Sequence, residues 1–185
     1  MAELWLHGLQ PQERLCTILS TVHGRQPKAC NPDTTTEDTP MKTQVAIIGA
    51  GPAGSLLSLL LKRRGVDCVV IERRSKDYVL GRVRAGILEW TSVEILRAAG
   101  LGQRLDAEGH VHNSVKLAWR AEETLSIDFE RLAGKPMMAY GQTKVQQDLY
   151  EAVEAEGVAT IFDTSDVAIH DVTSESPWVT FAANG

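Results

Sequence analysis

From residue 41 onward, hydrophobic and polar positions alternate with clear periods. Val45-Ala46-Ile47-Ile48 is a short, wholly apolar run, the pattern of a strand buried on both faces of a parallel sheet. A glycine turn follows, and residues 52–64 read as a helix. Its Leu56, Leu57, Leu59, Leu60 and Leu61 leave little polar surface, so it is expected to be covered on more than one side. Gly65 stops it, and Cys68-Val69-Val70-Ile71 forms a second buried strand, completing a βαβ unit.

Farther along, residues 87–99 predict a helix with Leu88, Ile95, Leu96 and Ala99 on one face and Gly100 as its stop. Residues 115–119 and 124–129 predict short strands. Thr143-x-x-Gln146 has the form of a capping box, and Val145, Leu149, Ala152 and Val153 repeat at helical spacing before Gly157. Residues 158–162, 167–172 and 178–181 alternate as strands do. The interleaving of helices and strands predicts an α/β protein.

Residues 1–40 lack this order. They hold four of the seven prolines and end in a polar run from Asn31 to Pro40, so they read as a linker-like extension expected to be disordered. The apolar patch at 15–19 has no basic region before it and no small-residue cleavage site, so it is a poor signal peptide. At the other end, Trp178-Val179-Thr180-Phe181 runs into Asn184-Gly185. Asn-Gly is a strong hairpin signal. A further strand is expected after it, with residues 178–181 left as an unprotected edge, and the chain reads as truncated.

Composition narrows the classes. The 185 residues suffice for one domain or slightly more; 43% are apolar and 23% charged, an ordinary globular balance. No apolar run approaches the roughly 18 to 20 residues of a membrane span, and a cytoplasmic location is expected. Cys16, Cys30 and Cys68 form no CxxC pair, which argues against a disulfide framework or a structural metal site. The net charge of −5 excludes an overall basic nucleic-acid binder. Residues 62–84 nevertheless carry a net +5, against −10 for the rest of the chain. Such an island suits a phosphate-bearing ligand, although from charge alone a solvated face of Lys and Arg is the plainer reading.

Gly49-Ala50-Gly51-Pro52-Ala53-Gly54 matches G-x-G-x-x-G between the first predicted strand and helix, and Glu72 closes the second strand, 23 residues after Gly49. This is the context the dinucleotide fingerprint requires. Gly49 permits the tight turn, Gly51 lets backbone approach a pyrophosphate, and Gly54 permits close helix–strand contact. The helix start presents free N–H groups and partial positive charge to phosphates. Pro52 sits where its missing donor costs nothing. Glu72 can accept hydrogen bonds from a ribose diol and would repel a 2′-phosphate, which favours FAD or NAD over NADP in this pocket. A ligand-free glycine turn is the plain alternative.

The longer run Asp77-Tyr78-Val79-Leu80-Gly81-Arg82-Val83-Arg84-Ala85-Gly86-Ile87-Leu88-Glu89, with Ile71-Glu72-Arg73 before it and Tyr140-Gly141-Gln142-Thr143 after it, closely resembles the amino-terminal part of the flavoprotein aromatic hydroxylases acting on 4-hydroxybenzoate. The likeness covers residues 41–185 and none of the first forty. It implies a Rossmann-like FAD-binding βαβ fold that runs into an antiparallel β-meander, with 41–185 a partial FAD/NAD(P)-binding domain that ends before the substrate domain. It also implies an enzyme that uses FAD, NADPH and O₂ to hydroxylate 4-hydroxybenzoate to 3,4-dihydroxybenzoate, of which this chain is an amino-terminal fragment expected to turn over no substrate by itself. Gly49, Gly51, Ala53, Gly54 and Glu72 would hold the ADP half of FAD. Arg84, Ala85, Gly86, Ile87 and Leu88 would lie along the flavin, and Gln142 would reach its pyrophosphate or ribityl region.

Arg73, Arg74, Tyr78 and Arg82 fall in the segment that serves NADPH in the family. Arginine suits phosphate because it offers planar, bidentate donors. The family often carries a smaller polar residue where Arg74 stands, and serine where Ala53 stands. Taken alone, His112 is an ordinary surface or buried histidine. The resemblance assigns it to a proton relay from the substrate phenol, a role suited to imidazole. His110 has no such support. The partners implied are a small aromatic acid and O₂, with neither nucleic acid nor membrane, in a whole protein that is a homodimer. Two other readings remain: a non-catalytic dinucleotide-binding module, and a related flavin hydroxylase for another phenol.

Overall fold

A computed structural model of the chain describes residues 16–22, 41–82, 84–119 and 123–183. In chain order the elements are β1 (Cys16–Val22), β2 (Met41–Thr43), β3 (Val45–Ile48), α1 (Pro52–Lys62), β4 (Cys68–Ile71), α2 (Lys76–Leu80), β5 (Ile87–Glu89), α3 (Trp90–Ala98) and α4 (Gly102–Glu108). There follow β6 (His110–His112), β7 (Ser114–Trp119), β8 (Glu123–Asp128), α5 (Phe129–Ala133), β9 (Met137–Ala139), α6 (Gln142–Ala155), β10 (Ala159–Ile161), β11 (Thr164–His170) and β12 (Trp178–Ala183). The chain divides into two compact units, residues 1–76 with 156–185, and residues 77–155.

The first unit holds the predicted βαβ. β3, β4 and β10 form a parallel sheet in the order β10-β4-β3. All four residues of the central strand β4 are buried. Val69 and Ile71 of β4 join Val179 and Phe181 of β12 in one core cluster. α1 also packs on β4, so this strand is apolar throughout because both its faces are covered.

α1 corrects the sequence reading of its leucines. Its buried residues are Ser55, Ser58 and Leu59, while Leu57 is 47% exposed. Beside Leu59, the close helix–strand approach at Gly54 brings two small polar side chains to the contact. The two serines satisfy their hydroxyls locally, Ser55 on the Ala50 carbonyl at 3.1 Å and Ser58 on the Ser55 carbonyl at 2.8 Å.

β12 is not the edge its sequence suggested. It pairs antiparallel with β11 and parallel with β1, in a sheet ordered β11-β12-β1-β2. Within the first forty residues, then, Cys16–Val22 is strand backbone. The rest of that stretch lies outside the described residues, as does Asn184-Gly185.

The second unit contains the antiparallel sheet β5-β9-β6, the hairpin β7-β8, and helices α3 to α6. The helix predicted over 87–99 starts later, at Trp90, because Ile87–Glu89 pairs with β9 as a strand. Its buried side is Val93, Leu96 and Ala99, with Ile95 outside. α6 begins at Gln142, one residue before the expected cap. The carbonyl of Gly141 accepts from the N–H groups of Lys144 and Val145, so Thr143 lies in the first turn and the capping box does not form.

Candidate dinucleotide site

The glycine loop between β3 and α1 has the backbone its motif demands. Gly49 sits at φ 107°, a left-handed conformation that favours glycine, and its N–H donates to the Ile71 carbonyl at 2.8 Å. Gly51 caps α1 in extended geometry without a side-chain cap bond, and Pro52 occupies the first turn. A Cβ placed on Gly51 would meet nothing within 4 Å. A Cβ on Gly54 would lie 2.0 Å from the Gly49 carbonyl oxygen. The two glycines serve different ends: Gly54 lets the helix close onto the strand, and Gly51 leaves room over the helix start. Ala53 is exposed on the first turn.

Glu72 stands half-buried just after β4, and its carboxylate accepts the Ala50 N–H at 2.9 Å. Its own backbone is fixed on both sides: its N–H donates to the Ile161 carbonyl at 2.8 Å, and its carbonyl accepts the Thr164 N–H at 3.1 Å. Around this residue opens a cleft of about 650 Å³ that includes Gly49, Glu72, Arg73, Arg74, Thr164 and Asp166 in its walls.

The β11 side of this cleft was absent from the sequence reading. A register shift between Ser165 and Ala168 breaks the β11–β12 ladder, and Asp166 there adopts φ 52°. Such bulges re-aim side chains at sheet edges and next to sites. Only the pairing of distant strands brings 164–167 beside Glu72, and no local motif announces it.

The second unit brings another predicted group together. Tyr140 donates its N–H to the Gly86 carbonyl at 2.7 Å, extending the β5–β9 pairing toward Arg84. A Cβ on Gly86 would lie 3.0 Å from the Gly141 Cα, so the two strands approach to within glycine distance. The segment 84–88 therefore runs beside Tyr140-Gly141-Gln142; Arg84, Ala85 and Ile87 are exposed, and Gly86, Leu88 and Gln142 are half-buried.

Tyr140 anchors this junction. Its hydroxyl donates to Asp148 Oδ2 at 2.9 Å, and Arg104 pairs with Asp148 Oδ1 at 3.1 Å. Burial, reinforced by the Asp148 carboxylate, pushes the Tyr140 phenol well above its ordinary range. Beneath it, Glu108 receives a hydrogen bond from Lys144, which holds its carboxyl below the usual value.

Tyr78 and Arg82 are exposed neighbours around α2, with Arg82 Nη1 donating to the Tyr78 hydroxyl at 3.2 Å and its guanidinium 5.5 Å from the ring centroid. His112 lies exposed at the end of β6, paired in register with Met137 of β9. The predicted residues thus fall into two groups: Gly49, Gly51, Ala53, Gly54, Glu72, Arg73 and Arg74 in the first unit, and Tyr78, Arg82, 84–88, His112 and Gln142 in the second.

A glycine loop with open space over its helix start, closed by an acidic residue beside a cleft, is the arrangement that the dinucleotide fingerprint requires. Residues 42–185 match the family described as FAD binding domain. The chain belongs to that family. The open Gly51 and the cleft beside Glu72 fit the diphosphate and adenosine of FAD, the cofactor of this domain.

Among curated proteins, the FAD binding domain is similar to a p-hydroxybenzoate hydroxylase from Acinetobacter baylyi. The two are 44% identical over 146 residues, which covers 78% of this chain and 36% of the relative. It is also similar to a 6-methylpretetramide 4-monooxygenase from Streptomyces rimosus, at 32% over 117 residues, covering 61% of this chain and 27% of the relative. The chain thus spans little more than a third of the first relative's length.

Among solved structures, pqsL from Pseudomonas aeruginosa, described as a probable FAD-dependent monooxygenase, superposes with a TM-score of 0.61 at 19% identity, covering 76% of this chain and 40% of that one. The p-nitrophenol 4-monooxygenase PnpA from Pseudomonas putida gives 0.60 at 20%, covering 74% and 38%. The family match and these two likenesses together show an FAD-binding fold of mixed helices and strands. Among the described residues, no helix is long and apolar enough to cross a membrane.

Proposed function

We propose that this FAD binding domain is the cofactor-holding part of a flavin-dependent monooxygenase that hydroxylates 4-hydroxybenzoate to 3,4-dihydroxybenzoate with NADPH and O₂. The observation that supports this most is the 44% identity over 146 residues to the Acinetobacter baylyi p-hydroxybenzoate hydroxylase. When bound, FAD supplies the redox chemistry through which O₂ is activated and one oxygen atom reaches the ring.

The chain's own residues bind and orient. Gly49, its own N–H held by Ile71, makes the turn that lets Gly51, Ala53 and Gly54 present backbone N–H groups to the diphosphate, and Glu72 accepts from the adenosine ribose. Arg84 to Leu88 and Gln142 line the flavin side, held together by the Tyr140–Gly86 bond. Arg73, Arg74, Tyr78 and Arg82 take the phosphates and adenosine of NADPH. His112 carries a proton between the substrate phenol and solvent.

The test is to incubate the protein carrying this sequence with FAD, NADPH, O₂ and 4-hydroxybenzoate and to follow 3,4-dihydroxybenzoate by chromatography. Substrate-dependent NADPH oxidation with that product supports the reading. FAD binding without turnover of any phenol by the whole protein that carries this domain would instead make it a non-catalytic nucleotide module. A second reading keeps the chemistry and changes the phenol. It is favoured by a 3-amino-4-hydroxybenzoate 2-monooxygenase from Streptomyces cremeus, 42% identical over 67 residues. Product from an amino-substituted hydroxybenzoate, with none from 4-hydroxybenzoate, would select it.

A further inference from the structure

The carboxylate of Glu72 is engaged with the protein's own backbone at both oxygens. Oε2 accepts the N–H of Ala50 at 2.9 Å, and Oε1 accepts the N–H of Arg74 at 2.9 Å. Ala50 is fully buried, and its carbonyl accepts the Ser55 hydroxyl at 3.1 Å. The residue between the two loop glycines is therefore gripped at both its N–H and its C=O. The Glu72 end of this grip comes from 22 residues away in sequence.

A glycine-rich loop has many conformations to lose, and ordering it on binding weakens affinity. A carboxylate acceptor makes a stronger hydrogen bond than a neutral one and is well suited to hold such a loop in advance. We propose that Glu72 is a positioning residue for the phosphate loop, in addition to being a ribose partner. Its carboxylate fixes the Ala50 amide, so the loop is set in its binding form before the dinucleotide arrives. This rests on reading the loop as the FAD site. Each carboxylate oxygen keeps a further lone-pair site, so ribose hydroxyls are accepted without releasing Ala50. A glutamine offers one acceptor oxygen where the carboxylate offers two, so it cannot hold both backbone N–H groups, and a neutral oxygen holds the one it keeps more weakly.

The test uses the full chain, its Glu72→Gln variant, FAD, and an FAD analogue lacking both hydroxyls of the adenosine ribose. The expected result is that Glu72→Gln weakens the analogue as well as FAD, each at least fivefold. In the ligand-free chain, hydrogen exchange at the Ala50 amide should rise at least tenfold, while the amides of Leu59 and Val70 keep their protection. Loss of affinity for FAD with none for the analogue would mean that Glu72 acts through the ribose alone, which overturns the proposal. Unchanged exchange at Ala50 overturns it equally. Failure of the wild-type chain to bind either ligand, with Ala50 exchange still responding, would support the loop grip and contradict the FAD reading. Should Glu72→Gln not fold, Glu72→Asp, too short to span to Ala50, replaces it in both measurements, and the same results support or overturn the proposal.

Discussion

Gly54 and Gly49 touch so closely that a single methyl group on Gly54 would come within 2.0 Å of the Gly49 carbonyl oxygen and 3.2 Å of the Ile47 Cγ2. Neither neighbour can retreat, since Gly49 is tied to Ile71 and Ile47 is buried in β3. Gly54→Ala should destabilise the first unit by about 1–3 kcal/mol, the usual cost of overpacking, and weaken FAD as the loop shifts. Urea unfolding followed by circular dichroism checks the first effect, and unaltered stability would contradict the geometry.

Gly51 makes the opposite case. A Cβ there meets open space and the backbone is extended. Gly51→Val should stay within about 1 kcal/mol of wild type in unfolding experiments. Its side chain would occupy the diphosphate's approach, so FAD affinity should fall by at least about tenfold, or about 1.4 kcal/mol. Flavin fluorescence titration of the folded variant measures this. A stability loss as large as that of Gly54→Ala would show that the loop is packed rather than open.

Tyr140 predicts an alkaline transition. Burial and the bond to Asp148 raise its phenol above the ordinary 10.0, so the native state keeps its proton where the unfolded chain has lost it. This group's contribution is complete below pH about 10 and is lost as pH climbs from there toward the raised native value. Tyr140→Phe should cost about 0.5–1.5 kcal/mol near neutrality through the lost hydrogen bond. It should also remove that part of the decline above pH 10. Unfolding midpoints collected from pH 8 to 11 for both proteins decide it, and parallel curves would contradict the assignment.

Cys68 should be inert in the native chain. It is 7% exposed, burial pushes its thiol above the ordinary value, and its Sγ donates to the Ser58 carbonyl at 3.5 Å. Alkylation mapped by mass spectrometry should leave the Cys68 peptide unlabelled until denaturant is added. Rapid native labelling would mean that β4 is not enclosed by the core described for it.

The βαβ core was legible because its signals are local. Val45–Ile48 and Cys68–Ile71 are short apolar runs rich in Val and Ile, the first running into Gly49 and the second following the helix stop at Gly65, and the fingerprint lies between them. The misreadings came where partners are remote. Ile87–Glu89 fits the start of a helix equally well, and only its pairing with Met137–Ala139 makes it a strand. Thr143-x-x-Gln146 has the letters of a capping box, yet Gly141 already accepts the first helical bonds. The central position of β12 depends on β1, which occurs in a stretch of linker-like composition. Periodicity correctly marked α1 as apolar but could not show that the close approach at Gly54 would turn Ser55 and Ser58 inward. Of the site, the glycines and Glu72 were visible in the motif, whereas the wall formed by 164–167 exists only once β10 and β11 fold back beside β4.

The most direct test of the central claim, that the amides at the start of α1 hold the diphosphate of a flavin nucleotide, is FAD titration of the purified chain alongside Gly51→Val. Saturable binding at one FAD per chain, lost in the variant with the fold intact, is the expected result. Binding of equal strength in both proteins, or none in the wild type, would contradict it.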